Sequence, residues 1–342
     1  SSLVMEYLAR TYGFEKIVAA LKAYGQGLET PEVLEQMTGK KLAALDAEFR
    51  KWLELRMAPY KGTFVVPTLK QDLKTLARAA AASPKDPHAH SRLALAHFEE
   101  GEARPAAAAA DRALALDPRN RLALYVKAEL AWRQGDREEA DTRYRALIAA
   151  GADSFDIRSR LALIASSKGD TATAEKQLCT AKKLDPERAY PYQALSDLYM
   201  KSGRKEQALH ELESYVTLEQ MQFAPVKQLV EEYAGLKKWD QVRTYGEQAL
   251  EVNPSDPDVL LALGQAYLET GAADRALFSF DSALLVRPEM RRPGMAHLGR
   301  ARALQARGDR RGALKAVDQA LRLESDSAEA VALKKELRRG GR

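Results

Sequence analysis

Five histidines and one cysteine are the side chains of this sequence best suited to metal or nucleophilic chemistry: His88, His90, His97, His210, His297 and Cys179. A hydrolytic zinc helix needs two histidines four residues apart, with a glutamate between them as base and a further carboxylate ligand downstream. No H-E-x-x-H occurs. His88 and His90 are two residues apart at a helix start, so their rings diverge. His97 stands at a helix-packing position, and His210 and His297 are isolated. Cys179, in "EKQLCTAKKLDP", has Lys176 and Lys182 nearby, which could favour a thiolate. Its helical setting instead predicts a half-buried, inert thiol. Neither a phosphate-cradling G-x-x-x-x-G-K-[ST] loop nor a G-x-S-x-G elbow is present. The residues of this chain predict no catalytic set, no metal and no cofactor, and what remains is the chemistry of binding.

Composition narrows the class further. The chain has 342 residues, of which 30% are charged and 46% hydrophobic, an ordinary foldable balance. No apolar run approaches the roughly 18 residues of a membrane span. A single cysteine rules out an intrachain disulfide, which suits the cytoplasm or the periplasm alike. The net charge is +5, yet from Arg291 to the end there are 14 Lys/Arg against 6 Asp/Glu. No aromatic platform is interleaved with that basic tail, so it reads as a solvated helix face, and no nucleic-acid partner is expected.

A strict period organises most of the chain. Gly101, Gly135, Gly169 and Gly203 recur every 34 residues. The next steps fall on Lys237 and Gly271, and a short insertion near "RPEMRRPGM" moves the last member to Gly308. Five residues after each stands a small residue: Ala106, Ala140, Ala174, Ala208, Val242, Ala276 and Ala313. Many units close on a proline, at Pro118, Pro186, Pro254 and Pro288. The glycine ends one helix because a left-handed backbone costs it nothing. The alanine lets a second helix approach the first, and the residue before proline disfavours the helical region, so the second helix stops. Each unit is a helix–turn–helix that must stack on a neighbour to bury its apolar face.

This pattern resembles the tetratricopeptide repeat. The family's small residue in the first helix is matched by Ala94, Ala128, Ala162, Ser196, Gly264 and Ala301, its aromatic one turn later by Tyr199, Tyr233 and Tyr267, and its late alanine by Ala113, Ala181, Ala249, Ala283 and Ala320. Seven units span 87–326, beginning at residues 87, 121, 155, 189, 223, 257 and about 294. Residues 69–86 are an N-terminal half-repeat, 58–68 a linker, and 327–342 a capping helix with a basic tail. The departures are Lys127 and Arg300 at an apolar position, Tyr215 at the late alanine, and Gln220 and Ser325 at the closing proline. Lys237 in place of glycine and Gly246 in mid-helix mark the fifth unit as the weak one. The resemblance implies an all-α, right-handed superhelical solenoid of about seven helix–turn–helix units behind a small helical segment.

Residues 1–57 do not follow the period. Glycines at 13, 25, 27 and 39 divide them into helices near 2–12, 14–24, 31–37 and 42–56. "YLARTYGFEKI" and "EVLEQMTGKKLAALDAEFRKWL" resemble the C-terminal helical part of gluzincin-type, peptidase MA-like zinc metallopeptidases. That resemblance implies a parent whose H-E-x-x-H part lies upstream, so that this chain is a fragment without the catalytic half.

In the tetratricopeptide family the first helix of each unit lines a concave groove. Its groove-facing places fall on Phe98 in unit one, on Tyr125, Glu129 and Trp132 in unit two, and on Leu163 in unit three. They continue with Gln193, Asp197 and Met200, then Lys227 and Glu231, then Gln265, then Arg302. Phe98, Trp132, Leu163 and Met200 offer an apolar stripe of the kind enriched at interfaces. The resemblance implies a non-catalytic scaffold that binds a protein or peptide there. The alternative is the C-terminal portion of a zinc metallopeptidase.

Overall fold

A computed structural model of the chain describes residues 2–286 and 292–339. Among them all regular structure is helical. The insertion at "RPEMRRPGM", the proline at 288 and the last three residues of the basic tail fall wholly or partly outside the described residues. Two compact units emerge, Ser1–Arg188 and Ala189–Arg342.

The first unit begins with four helices, α1 (Ser2–Tyr12), α2 (Phe14–Gly25), α3 (Thr30–Thr38) and α4 (Leu42–Arg56). They close around Tyr7, Leu8, Ile17, Met37 and Leu45, with Phe49 and Trp52 against them. Lys40 pairs with Glu48, whose carboxylate also accepts from the hydroxyls of Tyr7 and Tyr12. A short 3-10 turn (Ala58–Tyr60) leads into a non-helical stretch, and α5 (Leu73–Ala82) follows, capped by the Asp72 carboxylate on the Thr75 amide. Three helix pairs complete the unit: α6 (Pro87–Glu99) with α7 (Ala103–Leu116), α8 (Arg121–Gln134) with α9 (Arg137–Ala149), and α10 (Phe155–Ser167) with α11 (Thr171–Leu184).

The second unit continues the alternation: α12 (Tyr190–Lys201) with α13 (Lys205–Leu218), α14 (Phe223–Gly235) with α15 (Trp239–Val252), α16 (Pro257–Glu269) with α17 (Ala273–Leu285), and α18 (Pro293–Ala306) with α19 (Arg310–Leu323). A last helix, α20 (Ala328–Arg339), closes it, burying Ala330, Leu333 and Leu337 against α18 and α19.

The periodic residues do what their chemistry requires. The glycines at 101, 135, 169, 203, 271 and 308 all have φ between 74° and 82°, and Lys237 takes the same role at φ 55°. It is the one non-glycine residue in the left-handed region among the described residues, and a Cβ there costs energy. The seven small residues five positions later are fully buried, from Ala106 to Ala313. Second helices start on aspartate caps at Asp136, Asp170 and Asp309, each accepting from the amide three residues on.

The two charged departures, Lys127 and Arg300, have structural partners. Lys127 pairs with Asp111 at 2.8 Å and Arg300 with Asp281 at 2.5 Å, and Lys334 of α20 pairs with Asp318 at 2.6 Å in the same way. In the fifth and sixth units a tyrosine hydroxyl one turn later in the first helix takes over. Tyr233 donates to Glu213 at 2.8 Å and Tyr267 to Glu247 at 2.6 Å. All five acids stand at one place in the second helix of a unit, so each tethers the first helix of the next layer.

Gly246 is not a mid-helix weakness. It is buried in α15, and a Cβ there would lie 2.6 Å from Leu263 Cγ, so α15 and α16 meet at a distance only glycine permits. Gly264 and Gly299 similarly face the Phe280 ring.

Candidate binding groove

The groove-facing places divide between the two compact units. In the first unit, Phe98 is only 6% exposed and belongs to the core of α6–α8. Tyr125 is half-buried, its ring 6.5 Å from that of Phe98. Burial, reinforced by the charges of Glu129 and Asp156, pushes the Tyr125 phenol up to about 12. Glu129 is 9% exposed and accepts a 2.5 Å hydrogen bond from the Tyr144 hydroxyl, while Arg160 Nη2 lies 3.7 Å from its other oxygen. The Tyr144 phenol is pushed far above its usual range, first by burial and then by that bond.

Trp132 is flanked by guanidinium groups. Arg137 lies 3.8 Å and Arg160 4.4 Å from its ring centroid, and Arg133 covers Phe98 at 3.8 Å. Such contacts hold an aromatic by the attraction of a cation to the ring face. Leu163 is 40% exposed. The apolar stripe is therefore graded: Phe98 is largely core, Trp132 is half-buried beneath two arginines, and Leu163 is open.

The candidate groove residues of the first unit have a neighbour in the linker. Residues 63–69 form no helix or strand and rest on the first helices of the repeats. Phe64 packs on Tyr125 with ring centroids 5.9 Å apart, and Val66 and Leu69 pack on the cluster that contains Phe98. The Phe64 amide donates to the Asp153 carbonyl at 2.6 Å. Upstream, the Tyr60 hydroxyl donates to Asp185 at 3.0 Å and Arg56 pairs with Glu187. Pro59, Gly62 and Pro67 mark this stretch as a connector in the sequence, but no local pattern says where an irregular segment comes to rest.

In the second unit Gln193, Asp197 and Glu231 are exposed. Met200 packs against the core. Lys227 is engaged by Asp256 at 2.9 Å and Asp258 at 3.1 Å, Gln265 donates to Glu269 at 2.6 Å, and Arg302 donates to Glu329 at 2.7 Å. Lys227 and Arg302 thus tie successive layers together.

Among the described residues no group of three or more His, Cys, Asp or Glu is placed to hold a metal ion, and no helix is long and apolar enough to cross a membrane. The His90 ring meets the Pro84 carbonyl at 3.1 Å and His97 Nδ1 meets Glu102 at 2.6 Å, both packing roles. Cys179 is half-buried and free of disulfide.

Family models described as tetratricopeptide repeat match residues 92–140, 125–192 and 234–292. The chain carries tetratricopeptide repeats over those stretches. Among solved structures it is similar to the MamA protein, at 21% identity over 51% of this chain and 94% of that one with a TM-score of 0.39. It is similar also to the pilF protein of Pseudomonas aeruginosa, at 20% identity over 63% and 97% with a TM-score of 0.36. A third is YrrB, described as a TPR protein with an unusual peptide-binding site, at 17% identity over 77% and 99% with a TM-score of 0.29. No curated protein sequence matches the chain. The resemblance of residues 1–57 to a gluzincin finds no support in these matches.

Proposed function

We propose that the chain is a protein-interaction scaffold that binds an extended peptide or protein segment on the first helices of its repeats, with Tyr125, Trp132 and Leu163 as principal contacts. The observation that carries the reading is the extended stretch 63–69, which lies on α6 and α8 with Phe64 against Tyr125. A stretch of chain at rest on these helices supports peptide binding there, and a half-buried Trp is the kind of anchor that dominates interface energies. In the second unit the exposed Gln193, Asp197 and Glu231 offer polar contacts, and Met200, Lys227, Gln265 and Arg302 support the helices that present them.

The test compares the full chain with its Trp132→Ala variant as bait, after circular dichroism has established that the variant is folded. Mass spectrometry of captured proteins is expected to show partners lost from the variant. Recovery of every partner at wild-type yield would make Trp132 a packing residue and remove the groove assignment.

A further inference from the structure

We propose that residues 63–69 are a displaceable placeholder, and that the partner enters as an extended segment carrying an aromatic and a β-branched side chain two residues apart. The inference rests on the groove reading above and specifies its ligand. The stretch behaves as a bound peptide rather than as part of the fold. Its side chains alternate as in a strand lying on a surface: Phe64 and Val66 are half-buried and turned to the repeats, while Val65 between them is 75% exposed. Pro67 keeps the backbone extended and donates no hydrogen bond.

Its hold is slight. Among the described residues, the Phe64 amide to the Asp153 carbonyl is the one backbone hydrogen bond that 63–69 make to the repeats. Phe64 is only partly covered, whereas Tyr144 in the cluster it packs on is fully buried. Both ends are fastened independently. Arg56 and Tyr60 hold Glu187 and Asp185 on one side, and the Asp72-capped α5 packs on α6 on the other. The stretch between can therefore leave without breaking a helix pair.

Physical consequences follow from the tether. A segment attached at both ends has an effective concentration at its site on the order of millimolar, so it weakens a competing ligand by about the ratio of that concentration to the segment's own dissociation constant. A partner segment with the same aromatic–x–β-branched pattern finds the same contacts on Tyr125 and the Phe98 cluster once the resident has moved.

The experiment uses the full chain and a fluorescent peptide of residues 60–71, YKGTFVVPTLKQ, followed by polarisation. The Phe64→Ala/Val66→Ala chain, whose own segment keeps only Leu69 of its three apolar contacts, is expected to bind the peptide at least about tenfold more tightly than the wild-type chain. A peptide with alanine at the Phe and first-but-one Val places of that pattern (64 and 66) should lose this binding. Equal affinity of folded variant and wild type, or no binding to either at millimolar peptide, overturns the proposal. Should the variant not fold, amide exchange of the wild-type chain decides: saturating peptide must accelerate exchange of the Phe64 amide, which loses its Asp153 acceptor, and unchanged exchange there overturns the proposal. Partners lost on Trp132→Ala together with equal peptide affinities would overturn the placeholder and leave the groove reading standing.

Discussion

Gly246→Ala sets helix propensity against packing, and the structure decides which wins. In an exposed helix the change would stabilise by about 1 kcal/mol, because alanine loses less backbone entropy. Here the new Cβ would stand 2.6 Å from Leu263 Cγ, 2.7 Å from Cδ2 and 3.1 Å from Cδ1. Carbon atoms rest at about 3.5–4.0 Å, so the branch point of Leu263 must retreat by about 1 Å. Leu263 is 1% exposed and sits in the core of α14–α17, where no space receives it. Overpacking of this kind costs about 1–3 kcal/mol. The net expectation is a loss of about 1 kcal/mol, or a Tm lower by about 2–4 °C for a unit of this size. Urea unfolding followed by circular dichroism measures it. Gly235→Ala is the control. Gly235 ends α14 with no atom near its Cβ position, so it should gain a few tenths to about 1 kcal/mol. Adding Leu263→Ala should relieve Gly246→Ala, with a coupling of about 1 kcal/mol in the double-mutant cycle. If Gly246→Ala stabilises as much as Gly235→Ala, the close approach of α15 and α16 is not as described.

Lys237→Gly should stabilise the chain by about 1 kcal/mol in the same assay, since it removes a Cβ from a left-handed backbone; no change would mean that the turn relaxes at no cost. Glu129→Ala should cost about 1–3 kcal/mol because it orphans the buried Tyr144 hydroxyl, and Glu129→Gln, which keeps an acceptor, should cost less; equal losses would show that the carboxylate charge, not the hydrogen bond, matters. His297 is held below its usual range by burial and then by Arg300, with Asp281 opposing, and its Nδ1 is buried without a hydrogen bond. The unfolded chain binds that proton more readily, so the contribution of neutral His297 is present above its unfolded value near pH 6.5 and is lost as pH falls from there through the lowered folded value. Melting between pH 7.5 and 5 should therefore fall less steeply in a His297→Gln variant, and identical slopes would sink this assignment.

Much of the architecture is written locally. A glycine every 34 residues, an alanine five places on and an aspartate cap between them act through the backbone of a few neighbouring residues, and each acts as its chemistry demands. Lys127 and Arg300 read as defects only because their partners, Asp111 and Asp281, lie 16 and 19 residues earlier on the adjoining layer. Gly246 looked costly because propensity is a property of one helix, whereas its value lies in how near α16 can come. The groove shows the same division. Helical spacing puts Tyr125 and Trp132 on one face of α8, because side-chain direction along a helix is periodic, and the repeat resemblance adds Phe98 from α6. Whether that face is open depends on where a distant extended segment comes to rest. Phe64 reaches Tyr125 across 61 residues of chain, and the amide that anchors it finds its acceptor at Asp153. An extended strand has no internal hydrogen bonds to fix its place, so its position is set by the surface it meets, and only the tertiary structure contains that surface.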